Sequence, residues 1–167
     1  MSQIHRLLIL AIAFAVATGC ETTETLKATP DEPAANVSAY DRSGYVTKME
    51  DGRLWVFVAG SEALSDFEAN GELAKHTTLV NAGPGKITVK APDRLTIDGY
   101  LASKPGFTAR VIDDRLWVFK ANSEELATID RGGELAKHTT KMHNDGGKIV
   151  TIKGPDIETI SAYLAMK

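Results

Sequence analysis

The chain is poor in cysteine: Cys20 is the only one among 167 residues. A lone cysteine excludes an internal disulfide, so whatever folds is held by packing. Long hydrophobic runs are missing too. The longest apolar stretch, residues 7–17, has 11 residues, against the roughly 20 that a membrane-spanning helix requires. Nor is there an excess of charge of one sign. From residue 44 onward 17 acids face 16 bases, a net charge of −1, and a near-neutral folded part carries no electrostatic signature of nucleic-acid binding. Histidines number four, and no carboxylate cluster has the spacing of an acid–base pair, so the chain offers no candidate set for catalysis.

What the N-terminus does contain is ordered by type. "MSQIHRLLILAIAFAVATGC" runs from a short basic region through the apolar stretch to small residues and then Cys20. That is the layout of a secretory signal peptide. The ending "ATGC" resembles the lipobox of bacterial lipoproteins, with Ala17 standing where that family usually has leucine. The resemblance implies that residues 1–19 are removed and that the Cys20 sulfur receives a diacylglyceryl group. It also implies an acylated new N-terminus, and several acyl chains anchor firmly where one does not. Glu21 follows the cysteine in place of the aspartate that, in that family, retains a protein at the inner membrane. The expected location is therefore the outer membrane, lipid-anchored and facing the periplasm. Residues 20–43 are rich in Thr, Glu, Ala and Pro, with five acids and two bases after the cysteine. Such a segment buries too little apolar surface to order itself and reads as a tether.

The remaining 124 residues contain one unit written twice. "RLWVF", "SE", "GELAKHTT", "GK", "PD" and "YLA" recur in order, first 62 and then 63 residues apart. So many matches in register identify an internal duplication, with units at residues 44–105 and 106–167. Each unit carries the same punctuation. Two strands, residues 45–50 and 53–58, flank the hairpin signal "DG". Ser61 and its counterpart Ser123 cap a helix, and Gly71 and Gly133 are expected to end it in the left-handed conformation. Strands follow at residues 76–81 and 86–91, and Pro92 introduces a second helix with Ile97, Tyr100 and Leu101 on its apolar face. The expected class is α+β: two duplicated ββαββα units with antiparallel sheets and helices on one face. From Arg53 the order also fits a ferredoxin-like βαββαβ unit, completed by the strand at Phe107.

In "RLWVF", Arg53, Trp55 and Phe57 point one way and Leu54, Val56 and Val58 the other. Both faces are apolar, so this strand is expected to be central and covered on both sides. The aromatic face has two readings. Trp55 and Trp117 bury against each other or against the leading strand, or Arg53, Trp55, Phe57, Arg115, Trp117 and Phe119 form an open platform for a sugar polymer or a peptide. In "HTTKMH", His138, Met142 and His143 are donor types suited to copper. Strand alternation puts His143 on the other face, and the first copy has Val80 and Asn81 in place of Met142 and His143. The sequence thus points first to a non-enzymatic binding or interaction module of the cell envelope, without a cofactor. Its partner would be an envelope protein or cell-wall glycan, and its oligomeric state is open. A copper or other metal carrier is the alternative, and an enzyme ranks third.

Overall fold

The computed structural model describes residues 39–166. Cys20 and the lipobox lie outside the described residues. The first unit comprises β1 (Tyr45–Glu50), β2 (Arg53–Val58), α1 (Glu62–Asn70), β3 (Thr77–Leu79), β4 (Val89–Ala91) and α2 (Arg94–Ala102). The second comprises β5 (Phe107–Ile112), β6 (Arg115–Lys120), α3 (Glu124–Asp130), β7 (Thr139–Asp145), β8 (Lys148–Gly154) and α4 (Ile157–Ala165). Each unit folds on its own four-stranded sheet, in the orders β1-β2-β4-β3 and β5-β6-β8-β7. The class and the ββαββα units are as expected. The strand at Phe107 opens the second sheet and does not complete the first, which sets the ferredoxin-like arrangement aside.

Two features differ from the expected layout, both because of the central strand. The sheets are mixed: β2 runs parallel to β4 and β6 to β8, while the outer pairs are antiparallel. The helices cover both faces, not one. Leu54 and Val56 join Val89, Ile97 and Tyr100 beneath α2, whereas Trp55 and Phe57 join Leu64 and Phe67 beneath α1. A strand apolar on both faces needs a cover on each side, and each helix supplies one. Full burial of a side chain such as Phe57, Val56 or Ile97 contributes about 1.5–3 kcal/mol.

Local signals act as their chemistry requires. The Ser61 and Ser123 side chains accept from the N–H groups of Leu64 and Leu126, capping α1 and α3. Asp93 and Asp156 do the same for α2 and α4, accepting from both the backbone N–H and the hydroxyl of Thr96 and Thr159. These bonds favour the charged carboxylate and hold Asp156 below the usual carboxylate range. Gly71 ends α1 with φ of 78°. Gly133 does not repeat this role: α3 stops earlier, and Gly132 takes the left-handed conformation with φ of 78°. The first unit's second hairpin is also shorter than expected. Pro84 and Lys86 lie in a 3-10 turn, leaving only three residues in each of β3 and β4. The second copy has no proline there, and β7 and β8 extend to seven residues each.

Folded structure begins before residue 44, earlier than the expected end of the tether. Tyr40 packs on the first core, and its carbonyl accepts from the Tyr100 hydroxyl at 2.7 Å. Ala102 accepts from Tyr163 at 2.7 Å in the corresponding place of the second unit. The two units meet through α2 and β1 on one side and β5 on the other. Tyr45 donates its hydroxyl to the Ala109 carbonyl at 2.6 Å, and Thr108 donates to the Ser43 carbonyl at 2.9 Å. The Arg110 guanidinium bonds the Gly44 carbonyl and both carboxylate oxygens of Asp130. It also lies 4.5 Å from the centre of the Tyr45 ring.

Burial pushes the Tyr45 phenol up to about 12. Its folded value lies above the unfolded one, so the stability it contributes is complete below pH 10 and is lost as pH rises toward 12. Alkaline unfolding of Tyr45→Phe is expected to have a shallower pH dependence than the parent in that window. Equal slopes would show that Tyr45 is not protected by this contact.

A second expectation concerns the β5–β6 turn. Asp113 and Asp114 both have positive φ, 49° and 56°, where the first copy has Asp51 and Gly52. Glycine adopts this conformation without steric cost. Asp114→Gly is therefore expected to stabilise the protein by about 0.5–1 kcal/mol, read as a rise in melting temperature.

Candidate functional site

The parallel register of the central strands builds the same cluster in both units. Trp55 pairs with Lys90 across β2 and β4, and Lys90 pairs with Thr78 across β4 and β3. Paired residues share a face, and His76, two residues before Thr78, falls on that face as well. The Lys90 ammonium lies 4.6 Å from the centre of the Trp55 ring, and the His76 ring 5.1 Å from it. In the second unit Lys153 lies 4.7 Å and His138 5.2 Å from Trp117. His138 Nε2 and Lys153 Nζ are 3.5 Å apart, while His76 Nδ1 lies 3.5 Å from the Leu73 carbonyl. The histidine of the repeated "GELAKHTT" thus has a shared place in both copies, its ring tilted or edge-on to the indole in a His–Trp–Lys cluster.

Beneath each cluster the aromatics are covered. Trp55 is 3% exposed and Phe57 fully buried, with Trp55 and Phe57 stacked at 6.0 Å and Phe67 of α1 wedged against both. Trp117 is 9% exposed and Phe119 fully buried, stacked at 6.1 Å under Leu126. Of the two readings of the aromatic face, burial holds and the open platform is not formed: α1 and α3 lie over Trp55, Phe57, Trp117 and Phe119, and only Arg53 and Arg115 stay exposed. The tryptophans do not bury against each other either. Each is enclosed within its own unit.

What remains accessible is the rim. At the C-terminal end of α1 a cleft of about 380 Å³ is lined by Glu50, Asp51, Arg53, Asn70, Glu72 and Lys90, with Trp55 as its apolar wall. It sets two cations beside three carboxylates, a surface for hydrogen-bonding, zwitterionic or hydroxyl-rich groups. Arg115, Trp117, Glu134 and Lys153 occupy the matching positions of the second unit, with Ile112 replacing Glu50. The two copies therefore share a cation–tryptophan core and differ at the rim.

The copper set is not brought together. Met142 is 73% exposed and follows His138 by four residues, roughly 13 Å along an extended strand. His143 points to the opposite face of β7. Among the described residues no three His, Cys, Asp or Glu side chains converge as a metal site. Alternation in "KITVKA" turns Lys90 outward, onto a sheet face expected to be partly aromatic and partly basic, but the pairing of each lysine with its tryptophan and the carboxylate rim escaped the sequence reading. Lys90 and Lys153 do carry a signal, since both copies place a lysine between two inward residues, as "VKA" and "IKG". Their meeting with tryptophan depends on the parallel register, which no local pattern encodes. Comparison of the chain with protein-family models, curated proteins and solved structures gives no match.

Proposed function

We propose that the chain is a lipid-anchored protein of the bacterial cell envelope whose folded part is a non-enzymatic binding module. Cys20 carries the lipid, and the duplicated units face the periplasm from the outer membrane. The observation that carries the binding role is the His–Trp–Lys cluster repeated in both units, with a polar cleft beside the first. A scaffold needs the buried tryptophan, but it does not need a lysine and a histidine held against the same ring in both copies. Two such rims in one molecule suit an extended or repetitive partner, because the second contact becomes intramolecular once the first is made. Cell-wall glycan and a segment of another envelope protein both supply the hydroxyl, amide and carboxylate groups this rim accommodates.

Two measurements test the proposal. Cys20→Ser is expected to move the protein from the membrane fraction to the soluble one, and unchanged membrane retention would count against the anchor. Crosslinking of the full chain in intact cells, without added metal, should yield adducts with envelope protein or peptidoglycan. A chain that forms no adducts would argue against a binding module.

A further inference from the structure

The second unit has a feature the first lacks: a free, regular sheet edge. β7 pairs with β8 along seven residues, and no described strand pairs with its other side. The hairpin closes on Gly146 and Gly147, with φ of 59° and 93°, a two-residue turn. In such a hairpin the flanking pair, Asp145 and Lys148, exchanges both backbone hydrogen bonds. Asp145, His143 and Lys141 therefore turn their backbone groups toward β8, and Asn144, Met142 and Thr140 turn theirs outward. Outward-facing backbone groups on a straight edge are a template for another strand.

We propose that the occupant is a second copy of this chain, its β7 lying antiparallel to the first across a two-fold axis at His143. This inference goes beyond the binding role, and it rests on the proposed function only for the lipid anchor that concentrates the chain on one membrane. The outward groups allow Met142 of each copy to pair with Asn144 of the other. That register sets Lys141 opposite Asp145 of the second copy, and Asp145 opposite its Lys141. Edge lysines ordinarily discourage strand addition; here each meets a carboxylate, so the charges that repel a generic strand select a copy of the same one. The first unit shows what the second acquired. At the positions of Lys141 and Asp145 it has Leu79 and Gly83, and its edge strand is only three residues long. The same arm carries Met142 and Ile149, 73% and 67% exposed. Pairing two arms draws these side chains into one strip on one face of a continuous eight-stranded sheet. Strand addition of this length makes a small interface, suited to molecules concentrated on one membrane.

The register gives a sharp test. His143 faces itself across the axis as a non-hydrogen-bonded pair, with Cα atoms about 4.5 Å apart, inside the range a disulfide spans. His143→Cys in the full chain, oxidised in isolated envelopes, should give a self-linked dimer on a non-reducing gel. Met142→Cys should give little, and the parent chain, carrying Cys20 alone, sets the background. Adding Lys141→Asp to His143→Cys should abolish the dimer, and adding Asp145→Lys as well should restore it. Absence of the dimer, equal linking through Met142→Cys, or failure of the reversed pair to restore it would overturn the proposal. A His143→Cys chain linked to a different polypeptide, with no self-linked species, would assign the edge to another partner and overturn it equally.

Discussion

Replacing Arg110 by alanine is expected to destabilise the protein by about 2–4 kcal/mol, a drop of roughly 10 °C in melting temperature for a domain of this size. The Arg110 side chain is 8% exposed and its partner Asp130 26%, with N–O distances of 2.9 and 3.0 Å. Removing the guanidinium leaves Asp130 without its cation and the Gly44 carbonyl without its donor. It also opens space beside Tyr45. Asp130 can take up some water at its exposed side, which keeps the effect below that of a fully buried pair. The duplication supplies an internal control. Lys48 and Glu68 stand at the matching positions of the first unit, 3.2 Å apart and 44% and 54% exposed. Lys48→Ala should cost no more than about 1 kcal/mol, because water competes for an exposed pair. Equal losses at the two sites would mean that Arg110 does not hold the units together.

Gly99→Ala is expected to be the second large effect, and its sign runs against helix propensity. An alanine in a helix interior is worth about 1 kcal/mol over glycine, yet at Gly99 a loss of about 1–3 kcal/mol is expected. A Cβ at this position would overlap the Tyr45 hydroxyl and lie 3.0 Å from the Ala109 carbonyl oxygen. The carbonyl belongs to the β5 backbone and cannot swing aside. The overlap therefore breaks the Tyr45–Ala109 bond or pushes α2 off β5. At the matching position of α4 the second copy has Ala162, which is exposed. Ala162→Gly should cost about 1 kcal/mol by the ordinary helix penalty. Alanine is thus favoured in one copy and excluded from the other, because only α2 has a second unit docked against it. Chemical denaturation of both variants measures the contrast, and stabilisation by Gly99→Ala would contradict the docked arrangement.

Much of the fold was legible in the sequence because its signals are local. The strand bounds Tyr45–Glu50 and Arg53–Val58 match the expected ones, since "DG" fixes the turn between them. The serine caps and the apolar positions Ile97 and Tyr100 follow from short-range geometry in the same way, whereas Leu101, expected on the same face, lies at its edge and is 39% exposed. The helix-to-strand joint in "GELAKHTT" was less regular than its identity in the two copies suggested. One helix ends on the first residue of the octapeptide, the other before it, because "RGG" offers Gly132 a step earlier than Gly133. Which side of the sheet each helix covers was not legible. The alternation in "RLWVF" states that both faces need cover and leaves open what provides it. The site suffered most from this. Alternation puts Trp55 and Lys90 on a face that is partly aromatic and partly basic, but without the parallel pairing of β2 with β4 nothing sets that lysine, 35 residues away in sequence, against that ring. The contacts between the units were equally hidden, since Arg110 reads as an unremarkable strand residue until Asp130 and Gly44 are placed beside it.

The repeated His–Trp–Lys cluster is where the proposed function is most directly testable. Lys90→Ala and Lys153→Ala together remove both ring-facing ammonium groups, and both lysines are partly solvent-accessible, so the fold should survive with a melting temperature near that of the parent. The decisive measurement is the yield of envelope adducts captured by crosslinking the full-length double variant, compared with the parent at equal abundance in the membrane. A binding module working through these rims predicts that capture is largely lost in the double variant and reduced by less in either single one, as expected for two linked contacts. Capture at the parental level by a folded, membrane-localised double variant would contradict the assignment of the His–Trp–Lys rims as the binding surface.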